Sequence, residues 1–428
     1  MDLASKHWLR RFEHDFVAYC NANKQPLMRM YAHENFLDNF LYKMLHLTGL
    51  LFGHPIRPLF FEHPEFHEWP DEDKMKYIFG ETLYHVYFYQ NRNRVKTADL
   101  ATLTDIFDEA TASAHTFYTQ FVKDAPSSFH MPTFFSTNPS TQRKLEKIIN
   151  QRLSYATIIE KKFWAGASYN TFVFLDLVYY ALWNEIPEKK YHERHEYIQL
   201  QFLKIIIASF MDGDPVNARE RSTLNYFLSS AIVTEKTQDK LSVYLSRGLN
   251  VGDIVFNEDL PSIFRLIYLE MGILSALTDK EFSDADDEYI NALAEKLRVD
   301  EDTKLNCFLM VESFIHQNVN SVIYLKNKYN QTIFGSSINQ KLLAMVKKNK
   351  PKIIREISES RELLELLWKS QNTQLTKEER EKVRNQISDL IKTIPSLAIF
   401  MVPGGSILLP ILLKILPEDL LKPSQFRN

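Results

Sequence analysis

Cysteine and glycine are both scarce in this sequence. Cys20 and Cys307 are the two cysteines of 428 residues, which is too few for a disulfide framework and favours a reducing compartment for the body of the protein. Eleven glycines against 30 phenylalanines and 20 tyrosines argue against a disordered chain and favour packed helices with large side chains. The first residues contain no continuous apolar stretch, so we expect no cleaved signal peptide and synthesis in the cytoplasm.

Motifs that depend on glycine turns are also lacking. The sequence contains no GxSxG, no P-loop and no GxGxxG, the turns that hydrolases, nucleoside triphosphatases and dinucleotide enzymes require. Seven of the thirteen histidines precede residue 70, but His63 and His67 lie in a proline-rich connector rather than in a frame of metal ligands. We therefore predict a protein that is not an enzyme, with no cofactor and no small-molecule substrate.

Apolar periodicity predicts an all-α fold. Apolar residues recur at spacings of three and four over residues 8–52, with an interruption at Pro26, and again over 75–91 and 99–122. A further charged helix is predicted to begin near Thr141. The prolines of residues 53–73 predict an extended connection without a helix longer than one turn. No convincing pair of strands is present, so the expected architecture is a multi-helical body.

Residues 169–186 form a strongly apolar stretch that could be read as a membrane span. Asp176, Asn170 and Asn184 lie inside it. Because a charged side chain is costly within a bilayer, we predict a buried core helix here rather than a span.

Charge is distributed unevenly along the chain. The formal net charge is only −3, but residues 320–393 hold 15 Lys and Arg against 8 Asp and Glu, or +7, and residues 1–319 carry −11. We predict four regions: an N-terminal helical domain over 1–190, a second helical domain over 191–320, a basic helical neck over 321–394, and a membrane segment over 395–428.

The basic neck is a candidate surface for an anionic partner. Its cations could contact anionic lipid or ribosomal RNA phosphates, or could simply form a solvated helix face. No aromatic residue is interleaved with them, which argues against stacking on single-stranded bases. The candidate binding residues are Lys347, Lys348, Lys350, Lys352 and Arg355.

Two acidic turns in the second domain have similar sequences. Each follows an apolar helix and opens another one, and they align with a shift of 67 residues. Over 197–314 this pattern resembles tellurite-resistance TerB-like domains. Oxygen-rich turns can hold hard cations, and the weak metal candidates are Asp212, Asp214, Asp279 and Glu281. Neither turn fits an EF-hand, so we expect helix capping alone, with Asn217 and Asp284 as the N-cap residues.

The C-terminal end carries the longest apolar run. Residues 397–416 contain one charge, Lys414, in a length that suits a membrane helix, but Pro403 and Pro410 and a glycine pair interrupt the run. A kinked span, a helical hairpin and a tail docked on the body remain open, and we favour the kinked span.

The spacing of the C-terminal prolines is specific. Residues at offsets 0, 8, 15, 19 and 22 are Pro395, Pro403, Pro410, Lys414 and Pro417, with Gly404 and Gly405 between them. This pattern resembles the opening of the ribosome-binding-like domain of the LETM family, whose corresponding segment is assigned to the membrane. The sequence ends at Asn428, so the layout is more similar to the shorter bacterial LETM-related, biofilm-associated proteins than to the mitochondrial members.

The resemblance implies ribosome binding and a membrane location. We expect a membrane-anchored helical scaffold or adaptor, with most of the chain on the cytoplasmic side and the membrane, a ribosome or anionic lipid as partners. The alternative is cation transport or homeostasis through an oligomer of the C-terminal segment. The absence of an acidic residue between Ser396 and Leu416 counts against transport, because intramembrane carboxylates usually mark an ion path.

Overall fold

Helices form most of the part of the chain that the structure, a computed structural model, describes. No β-strand occurs in that part, so the predicted all-α fold is confirmed. The described residues are 3, 6–32, 36–123, 140–154, 170–183, 191–210, 218–231, 234–257, 260–278, 283–322, 324–325, 349–373, 375–376, 378–379, 382–383 and 386–387.

The chain forms two compact units, Met1–Met271 and Gly272–Asn428, and the boundary falls inside one helix. The helices of the first unit, the last of which crosses the boundary, are α1 (Trp8–Ala22), α2 (Lys24–Ala32), α3 (Leu37–Thr48), α4 (Asp71–Gln90), α5 (Arg92–Thr97), α6 (Leu100–Lys123), α7 (Thr141–Leu153), α8 (Phe174–Ala181), α9 (Tyr191–Ala208), α10 (Ala218–Leu228), α11 (Glu235–Arg247) and α12 (Ser262–Leu277). The second unit contains α13 (Asp284–Lys296), α14 (Glu301–Asn318), α15 (Lys350–Ser358) and α16 (Arg361–Asn372).

Helix α4 runs through the centre of the first unit. Nearly every residue from 77 to 89 is buried, and the helix packs against α3, α6, α7 and α8. The ring of Trp8 packs over Gly80, where a Cβ atom would make an ordinary van der Waals contact with it at 3.6 Å. Phe88 stacks edge-on against Phe107 at 4.5 Å between ring centroids. The many aromatic residues of the sequence therefore fill a core around one helix that is buried on all sides.

The proline-rich connector is held to α4 by one carboxylate. Glu81 is fully buried, and its two oxygens accept backbone N–H groups from Leu59 at 2.6 Å, Phe60 at 2.8 Å and Phe61 at 2.6 Å. The hydroxyl of Tyr77, one turn earlier, donates to the carbonyl of Phe61. The prediction of an extended connection is confirmed over 53–70, where the longest regular element is the 3₁₀ turn Phe66–Glu68; its predicted end at Asp73 was three residues too late, because α4 begins at Asp71. Buried amides that would lack partners in an extended segment are satisfied in this way.

Two further glutamates stabilise helix starts from neighbouring helices. Glu146 of α7 accepts the N–H groups of His7 and Leu9 at the start of α1, at 2.9 and 3.1 Å. Glu196 of α9 accepts the N–H of Thr234 at 3.0 Å before the start of α11. A carboxylate at a helix start satisfies unpaired donors and complements the positive end of the helix dipole.

The described part of the apolar stretch over 169–186 is buried over 170–182, as predicted, and Asn184 lies outside the described residues. Its described helix, α8, has eight residues, and Asp176 within it is fully buried. The guanidinium of Arg152 in α7 donates to both carboxylate oxygens of Asp176 at 2.7 Å, and the hydroxyl of Tyr118 donates to Oδ2 at 3.2 Å. The charge that argued against a span is therefore neutralised by a partner from another helix.

Two expectations about local structure were wrong by a few residues. Pro26 does not interrupt a helix: α1 ends at Ala22, and Pro26 lies in the first turn of α2, where a proline needs no N–H. The N-cap of α13 is Ser283 rather than Asp284, with Asp286 as its reciprocal partner. A serine side chain accepts the N3 amide while the carboxylate returns to the N-cap amide, which is the geometry of a capping box.

Among the helices that the structure describes, none is both long and apolar enough to cross a bilayer. The predicted membrane segment, residues 395–428, lies outside the described residues.

Candidate functional site

Helix α15 carries those candidate binding residues of the basic neck that the structure describes. Pro351 occupies its first turn, and Ile353 and Ile357 are fully buried. The cations lie on the other side: Lys350 and Arg355 are exposed, and Lys352 is half-buried. An amphipathic helix of this kind fixes its apolar face by packing and leaves its charged face available to a partner. Lys347 and Lys348, predicted to act with these residues, lie outside the described part of the chain.

Helix α16 follows after a short turn. Ser360 is its N-cap, and the hydroxyl accepts the N–H of Leu363 at 3.3 Å. Leu363, Leu364 and Leu367 are buried, whereas Trp368 is 37% exposed. Leucines at spacings of one and four along a helix form the stripe that packs against a neighbouring element.

The neighbouring residues are the described ones between 375 and 387, namely 375–376, 378–379, 382–383 and 386–387, which pair with α16 in antiparallel order. Lys369 of α16 pairs with Glu379 at 2.5 Å, and Glu362, two turns earlier, pairs with Lys382 at 2.8 Å. The hydroxyl of Ser360 donates to Gln386 at 2.8 Å. Pairing of early residues with late ones in this order defines a helical hairpin.

Both ion pairs lie at the surface and shift the ionisation of their members. The hydrogen bond from Lys369 lowers the pKa of Glu379, and the hydrogen bond to Glu362 raises the pKa of Lys382. Leu375, Val383 and Ile387 are buried. The described residues of 375–387 are therefore joined to α16 by charged pairs at the surface and carry buried apolar side chains between them.

The two acidic turns lie mostly outside the described residues. Asp212, Asp214, Asp279 and Glu281 all lie outside the described residues, as does Asn217. Within the described ranges, no group of three or more histidine, cysteine or acidic side chains is arranged to hold a metal ion. The metal candidates remain untested predictions.

The residues of the predicted membrane segment are likewise outside the described part: Pro395, Pro403, Gly404, Gly405, Pro410, Lys414 and Pro417. Sequence reasoning did not find the hairpin that precedes them. Its signal was available in part, since Glu362 and Lys369 of α16 have charges opposite to those of Lys382 and Glu379, their partners in antiparallel order. Charge pairs of this kind become informative only once two helices are known to be neighbours.

Comparison with known proteins gives one finding about the C-terminal end. No curated protein and no solved structure matches the sequence. A family described as "LETM1-like, RBD" matches residues 375–428, which begins inside the predicted neck at Leu375, the first residue of the stretch that docks on α16. The match confirms the resemblance seen in the proline spacing and extends it toward the N-terminus. The C-terminal segment of this chain, residues 375–428, is therefore similar to the LETM1-like, RBD family.

Proposed function

We propose that the protein is a non-enzymatic helical adaptor that binds ribosomes through its basic neck and is attached to a membrane by its C-terminal segment. The observation that supports this most directly is the family match over 375–428, because the domain it names is a ribosome-binding domain. The bulk of the chain lies on the cytoplasmic side in this proposal. The adaptor holds a ribosome near the membrane surface and performs no reaction of its own.

The neck supplies the chemistry that a ribosome would recognise. Ribosomal RNA is a polyanion, and its contacts are formed by Lys and Arg side chains that release condensed counterions. Lys350, Lys352 and Arg355 lie on one short helix whose opposite face is anchored by Ile353 and Ile357. Cations on a packed helix lose less conformational freedom on binding than cations on a loose tail.

Ribosome binding is tested by co-sedimentation of the full-length protein with purified ribosomes at increasing KCl. We expect wild-type protein to sediment with ribosomes at low salt, and Lys350→Glu, Lys352→Glu and Arg355→Glu in combination to reduce the bound fraction strongly. The matched control reverses three exposed cations of α11, Lys236, Lys240 and Arg247. Equal sedimentation of the wild type and the neck variant would remove the neck from the proposal.

Membrane attachment is tested separately, by placing a cysteine at Gln425 in a background where Cys20 and Cys307 are replaced by serine. In the proposed arrangement an impermeant thiol reagent labels this cysteine from outside in intact cells. Protection until the membrane is opened would instead indicate a hairpin or a docked tail. Recovery of the protein entirely in the soluble fraction would refute the anchor.

A further inference from the structure

One carboxylate of α1, Glu13, and one of α7, Glu146, are buried in the protein. Glu146, the only acidic residue of α7, is buried and bonded to the start of α1. Glu13 of α1 is buried as well, and it accepts from Tyr84, from Thr111 at 2.7 Å and from Gln142 at 2.6 Å. Burial raises the pKa of Glu13, and the hydrogen bonds oppose that rise. Neither carboxylate is therefore available at the surface to balance positive charge.

Several cations in or next to the same two helices are at least partly exposed, whereas Arg152 of α7 is bonded to the buried Asp176. Gln142 bonds to Glu13 and Glu146 bonds to the amide of Leu9, so the helices run antiparallel. Arg10 lies between these two contacts in α1. We name the surface the α1–α7 basic face and define it by Lys6 and Arg10, which are exposed, and by Arg143, Lys144 and Lys147, which are half-buried.

Most of these cations have no counter-ion within the described part of the chain. Lys6, Arg10, Arg143 and Lys144 form no ion pair there. The pKa of His115 on α6 is lowered, mainly by burial and also by the positive charge of Lys144. Two carboxylates of the neighbouring helices have other partners: Asp15 of α1 pairs with His14 at 3.0 Å, and Asp108 of α6 acts on Glu13.

The side chains around these cations indicate which kind of anionic partner the face would bind. The large apolar side chains that are exposed in the described residues lie elsewhere, at Phe36, Leu100, Val243, Val255 and Trp368. Helices that bind lipid surfaces combine basic residues with an apolar face that enters the membrane, and this face offers none. Arginine forks and lysine ammonium groups without apolar neighbours suit phosphate oxygens along a nucleic acid backbone.

We propose that the α1–α7 basic face binds the phosphodiester backbone of structured RNA, as a second contact in addition to the neck. This inference rests on the proposed ribosome binding for the choice of RNA as the nucleic acid. The face lies in a body whose residues 1–319 carry −11 overall. The face is therefore positive within an acidic body, because the carboxylates of Glu13 and Glu146 are buried and not because the composition is generally basic.

The test uses full-length protein and a fluorescein-labelled RNA duplex of 16 base pairs. The variant replaces Arg10, Arg143 and Lys144 by glutamine; none of them forms an ion pair in the described structure, so the fold should be retained, as checked by circular dichroism. The control replaces Lys236, Lys240 and Arg247 of α11 by glutamine, with the same change in charge. Binding is followed by fluorescence anisotropy between 50 and 200 mM KCl.

We expect the slope of log Kd against log salt to become shallower by about 2 to 3 in the variant, because each lost phosphate contact contributes roughly 0.7 to 0.9. The control should keep the wild-type slope. A variant slope equal to that of wild type would overturn the inference, as would absence of duplex binding by the wild type. Loss of binding to phosphatidylserine vesicles with RNA binding intact would assign the face to lipid and also overturn it.

The two proposals fail in different ways. If ribosomes sediment the wild type and the face variant equally, and the duplex slope is unchanged, the face has no role and the neck proposal stands. If duplex binding depends on the face but ribosomes do not retain the protein, the proposed function fails and RNA binding by the face survives.

Discussion

Removal of the Glu81 carboxylate should loosen the proline-rich connector. The three backbone hydrogen bonds that it accepts, from Leu59, Phe60 and Phe61, end on a charged and fully buried group. Hydrogen bonds to charged groups contribute about 1.5 to 3 kcal/mol each. Phe60 and Phe61 are half-buried, so water can partly replace the carboxylate there, whereas Leu59 is buried. We therefore expect Glu81→Ala to cost about 3 to 5 kcal/mol, less than the sum of three bonds.

The assay combines urea denaturation of the full-length protein with hydrogen exchange of the amides at residues 59–61. Exchange of these amides should accelerate in Glu81→Ala before any change in the second unit, because the bonds that protect them are lost directly. Glu81→Gln retains one acceptor oxygen and serves as the control, with a smaller loss. A loss below about 1 kcal/mol in Glu81→Ala, with unchanged exchange, would refute the assignment of Glu81 as the anchor.

Other substitutions test buried charge and capping. Burial raises the pKa of Glu270, which accepts from Tyr42 at 2.5 Å, to about 8. The folded state thus holds a proton that the unfolded state releases near pH 4.5, so wild-type stability should fall as pH rises from there through 8, by at most about 5 kcal/mol. Glu270→Gln should abolish that fall in urea titrations at pH 5 to 9. Asp176→Ala should cost about 3 to 5 kcal/mol by leaving Arg152 buried without its partner, whereas Arg152→Met with Asp176→Leu should cost less, as a double-mutant cycle would reveal. Ser283→Ala should cost about 1 kcal/mol and Asp284→Ala less, in thermal unfolding of the second unit; the reverse order would contradict the observed cap.

The structural features that could be predicted are those that a short stretch of sequence determines by itself. The start of α7 at Thr141 follows from a serine that caps it, and the prolines of the connector exclude a long helix. Asp176 was correctly interpreted as a core residue because an isolated charge in an apolar stretch requires a partner. The sequence did not reveal that the partner would be Arg152.

The features that could not be predicted join residues far apart in the chain. Glu146 caps a helix that begins more than one hundred residues earlier, and Glu81 binds amides about twenty residues before it. A glutamate at the surface and a glutamate that anchors a backbone are identical in sequence, since only the packing of α7 on α1 brings the donors within reach. The one-residue error at Ser283 has a local cause, because serine followed by several aspartates offers more than one possible cap.

Two kinds of interaction stabilise the junction between the neck and the family-matched segment, namely surface ion pairs and apolar burial. They respond differently to salt, which matters for the ribosome-binding test. The ion pairs Glu362–Lys382 and Lys369–Glu379 lie at the surface, where such pairs contribute about 0 to 1 kcal/mol and weaken with salt. Burial of Leu375, Val383 and Ile387 contributes about 1.5 to 3 kcal/mol for each side chain, and salt does not weaken it. The hairpin should therefore persist over the salt range in which phosphate contacts are lost. Salt-dependent release from ribosomes would then report on the loss of phosphate contacts by exposed cations, not on unfolding of this junction.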